Sequence, residues 1–324
     1  MPASRLNSAR TPSRTIDEII TWRPVLKPVL RAFEPLLTAR AELTGELEDR
    51  IRACGLTLPE IQEDRLRQGV SLFAGLSFDG AAEAVRQSAG KLLPLFEGMR
   101  AVAASMPALR GYFLRPPDTD GPDSRESRPA LMEAVASDNS GAVARIARDN
   151  GLEPLMLEFV SAFVVSAVLR AMVAVALSAK ERSPWNEGDI WQQGYCPVCG
   201  AMPSAGWLNK PELDEKNAFL AGGGGKKHLY CGRCGADWKF RRSACPACSA
   251  EGGGVIEILR ESGVSHGERL EWCTQCKAYC PAVDLREREF VPDPDAMAMG
   301  MMHLDMVAAR KKLRPLMPSF WNMF

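Results

Sequence analysis

Four Cys-x-x-Cys pairs, all between Cys196 and Cys276, constrain the fold of this chain more than any other feature. Two thiols separated by two residues can point at one ion from a single tight turn, and four thiolates complete a tetrahedral metal site. Eight thiols in four such pairs therefore predict two tetrathiolate metal sites. The candidate ligands are Cys196, Cys199, Cys231, Cys234, Cys245, Cys248, Cys273 and Cys276.

Two groupings of the four pairs are compatible with the sequence. If adjacent pairs share an ion, intervals of 31 and 24 residues each enclose a hairpin and give two tandem lobes of the zinc-ribbon or rubredoxin kind. If the first pair joins the third and the second joins the fourth, the result is a RING-like cross-brace. A glycine-rich turn inside each interval supplies a local hairpin, which favours the adjacent grouping.

The residue that follows the second cysteine of each pair affects how regular the turn is. Glycine at this position allows the left-handed conformation that closes a metal-binding knuckle. Gly200 and Gly235 occupy it in the first two pairs, whereas Ser249 and Lys277 follow the third and fourth pairs. We therefore expect a less regular second site. Cys54 and Cys280 lie outside the four pairs, and we interpret them as packing residues, with Cys280 as an alternative ligand.

The identity of the metal is left open by the cysteines themselves. A tetrahedral set of four sulfurs suits zinc, which gives a closed structural site, or a single iron, which makes the same geometry redox-active. On frequency alone zinc is favoured.

Charge and composition exclude several classes of partner. Lysine plus arginine and aspartate plus glutamate number 40 each, and residues 196–290 contain 13 basic and 12 acidic residues. A neutral chain has no global field to attract nucleic acid or an acidic membrane. The interleaved rings and charges of 238–242 are typical of a strand with two different faces. No apolar segment follows the N-terminal arginines, so we expect a disordered tail over residues 1–14, a cytoplasmic location and reduced thiols.

The first half of the chain has helical periodicity and predicts a helical domain over residues 15–185. Its longest apolar run, Leu155–Leu177, contains Glu158 and Arg170, and we therefore expect a buried central helix rather than a membrane span. No nucleophile is placed beside a base, so we predict a protein that is not an enzyme. The other predicted segments are helices at Gly69–Phe78, Ala81–Leu109, Ala130–Asp149 and Glu153–Lys180, and an exposed loop at Pro116–Pro129.

The second half changes to glycine runs and short strand-like stretches. We predict strands at Val255–Leu259 and Arg269–Trp272, a first rubredoxin-like lobe over residues 190–243 and a second over 244–290. A C-terminal helix and an apolar tail occupy residues 295–324. The helix is rich in methionine and is interpreted as packing between the domains or as a client-binding face. The fold class is thus α plus small β, with the tail docked on the helices or on a second copy in a homodimer.

The motifs around the cysteines resemble those of a known family. Trp191-Gln-Gln-Gly-Tyr195 runs into Cys-Pro-Val-Cys-Gly, and Tyr230 precedes Cys-Gly-Arg-Cys-Gly-Ala-Asp-Trp238. With two further pairs in order, this pattern is similar to the formate dehydrogenase accessory protein FdhE family. The match is strong over Trp191–Cys280 and looser in the helical half and in Asp295–Arg310.

The resemblance implies a function that cannot be inferred from composition and spacing. It implies a cytoplasmic maturation factor that acts on the catalytic subunit of formate dehydrogenase. We expect that subunit to dock in the groove between the helical domain and the lobes. It also implies iron in rubredoxin-like sites, which reverses the preference for zinc. The implied ligands are Cys196, Cys199, Cys231 and Cys234 for one ion, and Cys245, Cys248, Cys273 and Cys276 for the other. The alternatives are a rubredoxin-type electron carrier and a zinc-ribbon nucleic-acid-binding protein.

Overall fold

The computed structural model of the chain describes residues 10–56, 58–116, 122–178, 183–187, 190–210, 225–320 and 322. Within these ranges, helices precede and follow a mixed β-sheet. The helices are α1 (Pro12–Trp22), α2 (Lys27–Glu46), α3 (Glu48–Ala53), α4 (Glu63–Arg67), α5 (Ala81–Phe96), α6 (Arg100–Ala103), α7 (Met106–Leu114), α8 (Pro122–Ala136), α9 (Ser140–Asp149), α10 (Pro154–Leu177), α11 (Pro294–Gly300) and α12 (Met302–Arg310). The strands are β1 (Ala205–Leu208), β2 (Lys227–Tyr230), β3 (Asp237–Phe240), β4 (Ile256–Leu259), β5 (Glu268–Cys273), β6 (Ala278–Asp284) and β7 (Arg314–Pro315).

Helix α10 forms the centre of the helical domain, as predicted. It begins at Pro154, whose missing N–H costs nothing at the first helical position, and the Glu153 side chain accepts a hydrogen bond from the Met156 N–H at 2.7 Å. It packs against α2, α5 and α9. It is 24 residues long and apolar enough to cross a membrane, but 67% of its most apolar stretch is buried inside the protein.

The prediction of a helix at Gly69–Phe78 is wrong. Gly69 and Gly75 have positive φ angles of 81° and 78°, and the intervening backbone lies against the first cysteine pair. The N–H groups of Leu72 and Phe73 donate to the carbonyls of Pro197 and Val198 at 2.9 and 2.8 Å. Backbone donors used in this way are not available for helical hydrogen bonds.

The limits of other helical segments also differ from the prediction. The exposed loop predicted at Pro116–Pro129 lies outside the described residues over 117–121, but α8 begins at Pro122, earlier than predicted. The stretch Ala81–Leu109 is divided into three helices. Ala130–Asp149 breaks at Asp138, which has a φ of 58°, and Asn139 then caps α9 by accepting a hydrogen bond from the Ala142 N–H.

Residues 10–14, which we expected to belong to a disordered tail, are ordered. Residues 1–9 lie outside the described residues, whereas the Arg10 N–H donates to the Val291 carbonyl at 2.9 Å. Thr11 caps α1, which begins at Pro12. Residues 10–14 are therefore part of the folded protein.

One sheet contains both cysteine-rich lobes. Strands β3-β2-β1 form an antiparallel group, and β6-β5-β4 form a second one, which includes the two predicted strands. The groups are joined by parallel pairing of β1 with β6, in which Trp207 lies opposite Val283. The start of β6 pairs instead with β7. The two lobes thus follow one another in sequence, but their strands belong to one β-sheet.

The C-terminal helices lie between the sheet and the helical domain. The predicted single helix is two helices that meet at Met301. Met297 and Met301 are buried against the sheet, and Met299 is buried in the core of the helical domain, whereas Met306 is 52% exposed. The methionines therefore serve mainly as packing, and the client-binding interpretation of this helix is not supported.

Candidate metal centres

The structure gathers the eight predicted cysteines into two groups of four. Cys196, Cys199, Cys231 and Cys234 form the first group, and Cys245, Cys248, Cys273 and Cys276 form the second. In each group all four Sγ atoms lie within 4.8 Å of one another. The grouping is that of adjacent pairs, and the interleaved cross-brace is not formed.

The sulfur separations fit a metal ion and not a disulfide. In the first group the Sγ atoms of Cys196 and Cys234 are 3.5 Å apart, and in the second those of Cys245 and Cys276 are 3.7 Å apart. A tetrahedron with metal–sulfur bonds of about 2.3 Å has edges of about 3.8 Å, whereas a disulfide requires about 2.05 Å. The donor set and its spacing therefore suit one tetrahedrally bound zinc or iron in each group.

All four pairs adopt the same knuckle. In each, the N–H of the residue after the second cysteine donates to the carbonyl of the first cysteine at 2.9–3.0 Å. That residue is left-handed in every case, with φ of 78°, 76°, 59° and 61° at Gly200, Gly235, Ser249 and Lys277. The expectation of a less regular second site is therefore wrong for the backbone, because Ser249 and Lys277 adopt the left-handed conformation despite its strain.

Backbone N–H groups point at the sulfurs. The Val198 N–H donates to the Cys196 Sγ at 3.4 Å, and the N–H groups of Ala247 and Cys248 do the same for Cys245. Such donors spread the negative charge of a thiolate and orient it towards a metal. The knuckles thus prepare the sulfurs to act as ligands.

Burial of the first group opposes the thiolate form that a metal ion requires. Burial raises the pKa of Cys196 and of Cys234 well above its ordinary value. Burial also opposes ionisation of Cys231, but hydrogen bonds from the neighbouring thiols and the charge of Arg233 hold its pKa well below the ordinary value. A bound divalent cation would favour the thiolate form of all four sulfurs.

The helical domain holds the first group from two sides. Its cysteines belong to the same buried core as α10. The Ser166 hydroxyl donates to the Arg233 carbonyl at 2.6 Å, and the Arg170 guanidinium donates to the Gly232 carbonyl. Together with the contacts of Leu72 and Phe73 described above, these bonds fix both knuckles to the helical domain.

The second group lies at the periphery. Cys245 and Cys273 are buried in a small apolar cluster with Val255, but Cys248 is exposed. Its contact with the first lobe is close: a Cβ atom on Gly194 would lie 2.1 Å from the Pro246 carbonyl oxygen. The glycine in the Trp191–Tyr195 motif is thus required because the third knuckle packs directly on it.

Cys54, Cys280 and the histidines take no part in the two groups. Cys280 is buried, which raises its pKa to about 12, and its Sγ lies 3.5 Å from the Pro281 carbonyl. Cys54 ends α3. His228 Nδ1 lies 2.8 Å from an Asp237 carboxylate oxygen, and His266 stacks on Trp22. The contacts of these residues explain their positions without a metal ligand role.

The sequence interpretation missed one group of residues. Arg170, noted only as a charge in an apolar run, forms an ion pair with Asp295 and receives further partners from the first lobe. A charge inside a long apolar helix was the available signal, because such a charge is rarely buried unless it is paired.

Comparisons with known proteins are consistent with this architecture. No protein-family model matches the chain. A "Protein FdhE homolog" from Aquifex aeolicus (strain VF5) is 27% identical over 160 residues, which are 49% of this chain and 50% of that protein. A second homologue of that name, from Stutzerimonas stutzeri (strain A1501), is 25% identical over 159 residues, 48% of this chain and 45% of that protein.

The matches to curated relatives thus span about half of their length, whereas a structural match spans nearly the whole chain. The crystal structure of the FdhE protein from Pseudomonas aeruginosa superimposes with a TM-score of 0.56 at 20% identity, and covers 99% of this chain and 97% of that one. This likeness shows that the fold is shared. The matches support the resemblance carried by the cysteine motifs: the chain is similar in sequence to FdhE homologues over about half of its length, and it shares the fold of an FdhE protein.

Proposed function

We propose that this chain is a cytoplasmic, non-catalytic accessory factor required for the formation of active formate dehydrogenase, whose catalytic subunit it binds through its metal-stapled cysteine domain. The observation that carries the proposal is the pair of tetra-cysteine groups within a fold shared with an FdhE protein. The link to formate dehydrogenase comes from the family resemblance.

The proposed cofactors are two metal ions, with iron favoured by the resemblance and zinc as the alternative. Cys196, Cys199, Cys231 and Cys234 would hold one ion, and Cys245, Cys248, Cys273 and Cys276 the other. Four sulfurs fill a tetrahedral shell and leave no position for water or substrate. This supports a structural or electron-transfer role rather than a hydrolytic one.

A second candidate function is a rubredoxin-type electron carrier. The exposure of Cys248 favours it, because a redox partner could approach the second site closely. The nucleic-acid alternative is weaker, because the basic side chains of residues 238–242 form ion pairs and hydrogen bonds within the protein. Arg241 pairs with Glu251, Arg242 donates to the Gly225 carbonyl, and Lys239 donates to the Asn186 carbonyl.

The metal is tested by elemental analysis and a visible spectrum of anaerobically purified protein. Two irons per chain with a red iron–thiolate absorbance that bleaches reversibly on reduction would support iron sites. Colourless protein with two zinc ions per chain would exclude the electron carrier and leave the accessory function standing. Well-folded protein with free thiols and no metal would contradict the proposed cofactors.

The function is tested by capture of the formate dehydrogenase catalytic subunit on immobilised protein. We expect capture by the wild type and its loss in the double variant Cys196→Ala/Cys199→Ala. Cys54→Ala is the matched control, because Cys54 lies outside both groups. Equal capture by the double variant would contradict a role for the first lobe in binding. The same preparation, analysed by light scattering, tests for a homodimer.

A further inference from the structure

A cavity of about 210 Å³ lies where the helical domain, the second knuckle and the C-terminal segment meet. Helix α10 contributes Glu158, Ala162 and Phe163 to its wall, and the knuckle contributes Arg233. Residues 317–320 also line it. We call this cavity and its mouth the interdomain groove.

The mouth of the interdomain groove is apolar. Phe320 is 42% exposed and its ring meets that of Phe159 edge-on, with 4.7 Å between centroids. Leu155, one turn before Phe159 on α10, is 59% exposed. Large apolar side chains that remain in water beside a cavity mark a surface for a partner. An apolar cavity of about 150 Å³ admits a benzene ring, so this one has room for a bulky apolar side chain.

One carboxylate in the groove has no counter-charge. The other charged groups of the wall are paired: Arg40 with Asp295 at 2.9 Å, and Arg233 with Asp138. Glu158 is partly buried and, within the described part of the chain, it has neither an ion pair nor a hydrogen bond to its carboxylate. A carboxylate at the edge of an apolar groove selects a cationic group in whatever binds there.

We propose that the interdomain groove docks a segment of a partner protein in which a bulky apolar side chain lies next to a lysine or arginine. The apolar side chain enters the cavity past Phe320, and the basic side chain pairs with Glu158. The inference rests on the proposed function for the identity of the partner, which is then the formate dehydrogenase catalytic subunit.

The direct test uses a fluorescein-labelled synthetic peptide with a central Leu-Phe-Arg-Leu sequence, and its twin with glutamate in place of arginine. Fluorescence anisotropy with the full chain should show saturable binding of the basic peptide and weaker binding of the acidic one. Glu158→Lys should weaken the basic peptide about tenfold or more and favour its acidic twin. Glu60→Lys is the matched control, because Glu60 is exposed and distant in sequence from the groove-lining residues.

A second pair of variants tests the cavity independently of charge. Ala162 is exposed in the groove wall, so Ala162→Trp fills the groove without disturbing the core and should abolish peptide binding. Ala101→Trp makes the same change at an exposed position of α6 and should leave binding intact. Equal affinity for the two peptides, or unchanged binding by Ala162→Trp, would overturn the proposal. A wild-type dimer that Ala162→Trp converts to a monomer would also overturn it, since the groove would then hold a second copy.

The groove and the proposed function can fail separately. If wild type and Ala162→Trp capture the formate dehydrogenase catalytic subunit equally, the groove proposal fails while the function stands. If the wild type does not capture that subunit but binds the basic peptide through Glu158 and Ala162, the function fails while the groove stands.

Discussion

Arg170 of α10 and Asp295 of α11 meet in a two-point ion pair with nitrogen–oxygen distances of 2.9 and 3.0 Å. The same carboxylate accepts the Tyr230 hydroxyl at 3.1 Å and pairs with Arg40 at 2.9 Å. Burial favours its neutral form, but the two arginines hold the pKa of Asp295 below its usual range. Helices α2, α10 and α11 and strand β2 are thus joined at one carboxylate.

The Asp295→Asn variant should be strongly destabilised. It leaves Arg170 and Arg40 buried without a counter-charge, and breaking a buried pair in this way costs about 3–5 kcal/mol. Chemical unfolding followed by circular dichroism measures the loss. The control is Glu63→Gln, which breaks the exposed ion pair with Arg67 and should cost less than about 0.5 kcal/mol. Similar stability of the two variants would contradict the role of Asp295.

Spacing and periodicity predicted the local features of this chain and could not predict the long-range ones. The cysteine pairs and α10 follow from patterns within a few turns of backbone. The parallel pairing of β1 with β6 brings Trp207 to Val283, and no local pattern encodes it. The ion pair of Arg170 joins residues 125 positions apart. Leu72 and Phe73 have apolar spacing that suits a helix, but their backbone donors are taken by the first knuckle.

Ser249→Gly should stabilise the second lobe. Ser249 is exposed and has a φ of 59°, where a Cβ atom costs about 1–2 kcal/mol, although glycine returns part of this through the entropy of the unfolded chain. We expect a gain of up to about 1 kcal/mol in the free energy of unfolding.

The reverse change at the first lobe provides the control. Gly200→Ala places a Cβ atom in the same conformation, and the nearest side-chain atom, Ser71 Oγ, is 3.5 Å away, so the effect is backbone strain and not a clash. It should destabilise by about 1 kcal/mol. A loss of stability in Ser249→Gly would show that the serine side chain contributes more than its strain costs.

The two metal sites should differ in their response to a chelator. The sulfurs of the first group are buried beneath the helical domain, whereas Cys248 is exposed at the second. Metal release from the second site should be the faster phase and leave the helical signal unchanged. Release from the first should coincide with loss of structure, because its cysteines belong to the main core.

Single substitutions assign the two phases of metal release. Cys248→Ser should remove the fast phase, and Cys231→Ser should lower both metal content and stability. Metal release is followed with a chromogenic chelator, and folding by circular dichroism. Release of both ions from the wild type in one phase, at the same rate, would contradict the prediction that burial slows the loss of metal from the first site.

Asp305 should make stability depend on pH. It is 2% exposed, burial raises its pKa from 3.8 to about 6, and its partner is the Tyr279 hydroxyl, which donates to it at 2.8 Å. A raised folded-state pKa contributes stability that is fully present below about pH 4 and is lost as pH rises through 6. Asp305→Asn keeps an acceptor for Tyr279 and removes the titration.

The free energy of unfolding of Asp305→Asn, minus that of the wild type, should therefore increase by about 1.4 kcal/mol between pH 5 and pH 8. Taking the difference at each pH cancels the titration of the cysteines, which both proteins share. Asp79→Asn, at an exposed position, is the matched control. A difference that stays the same between pH 5 and pH 8 would show that burial does not raise the folded-state pKa of Asp305.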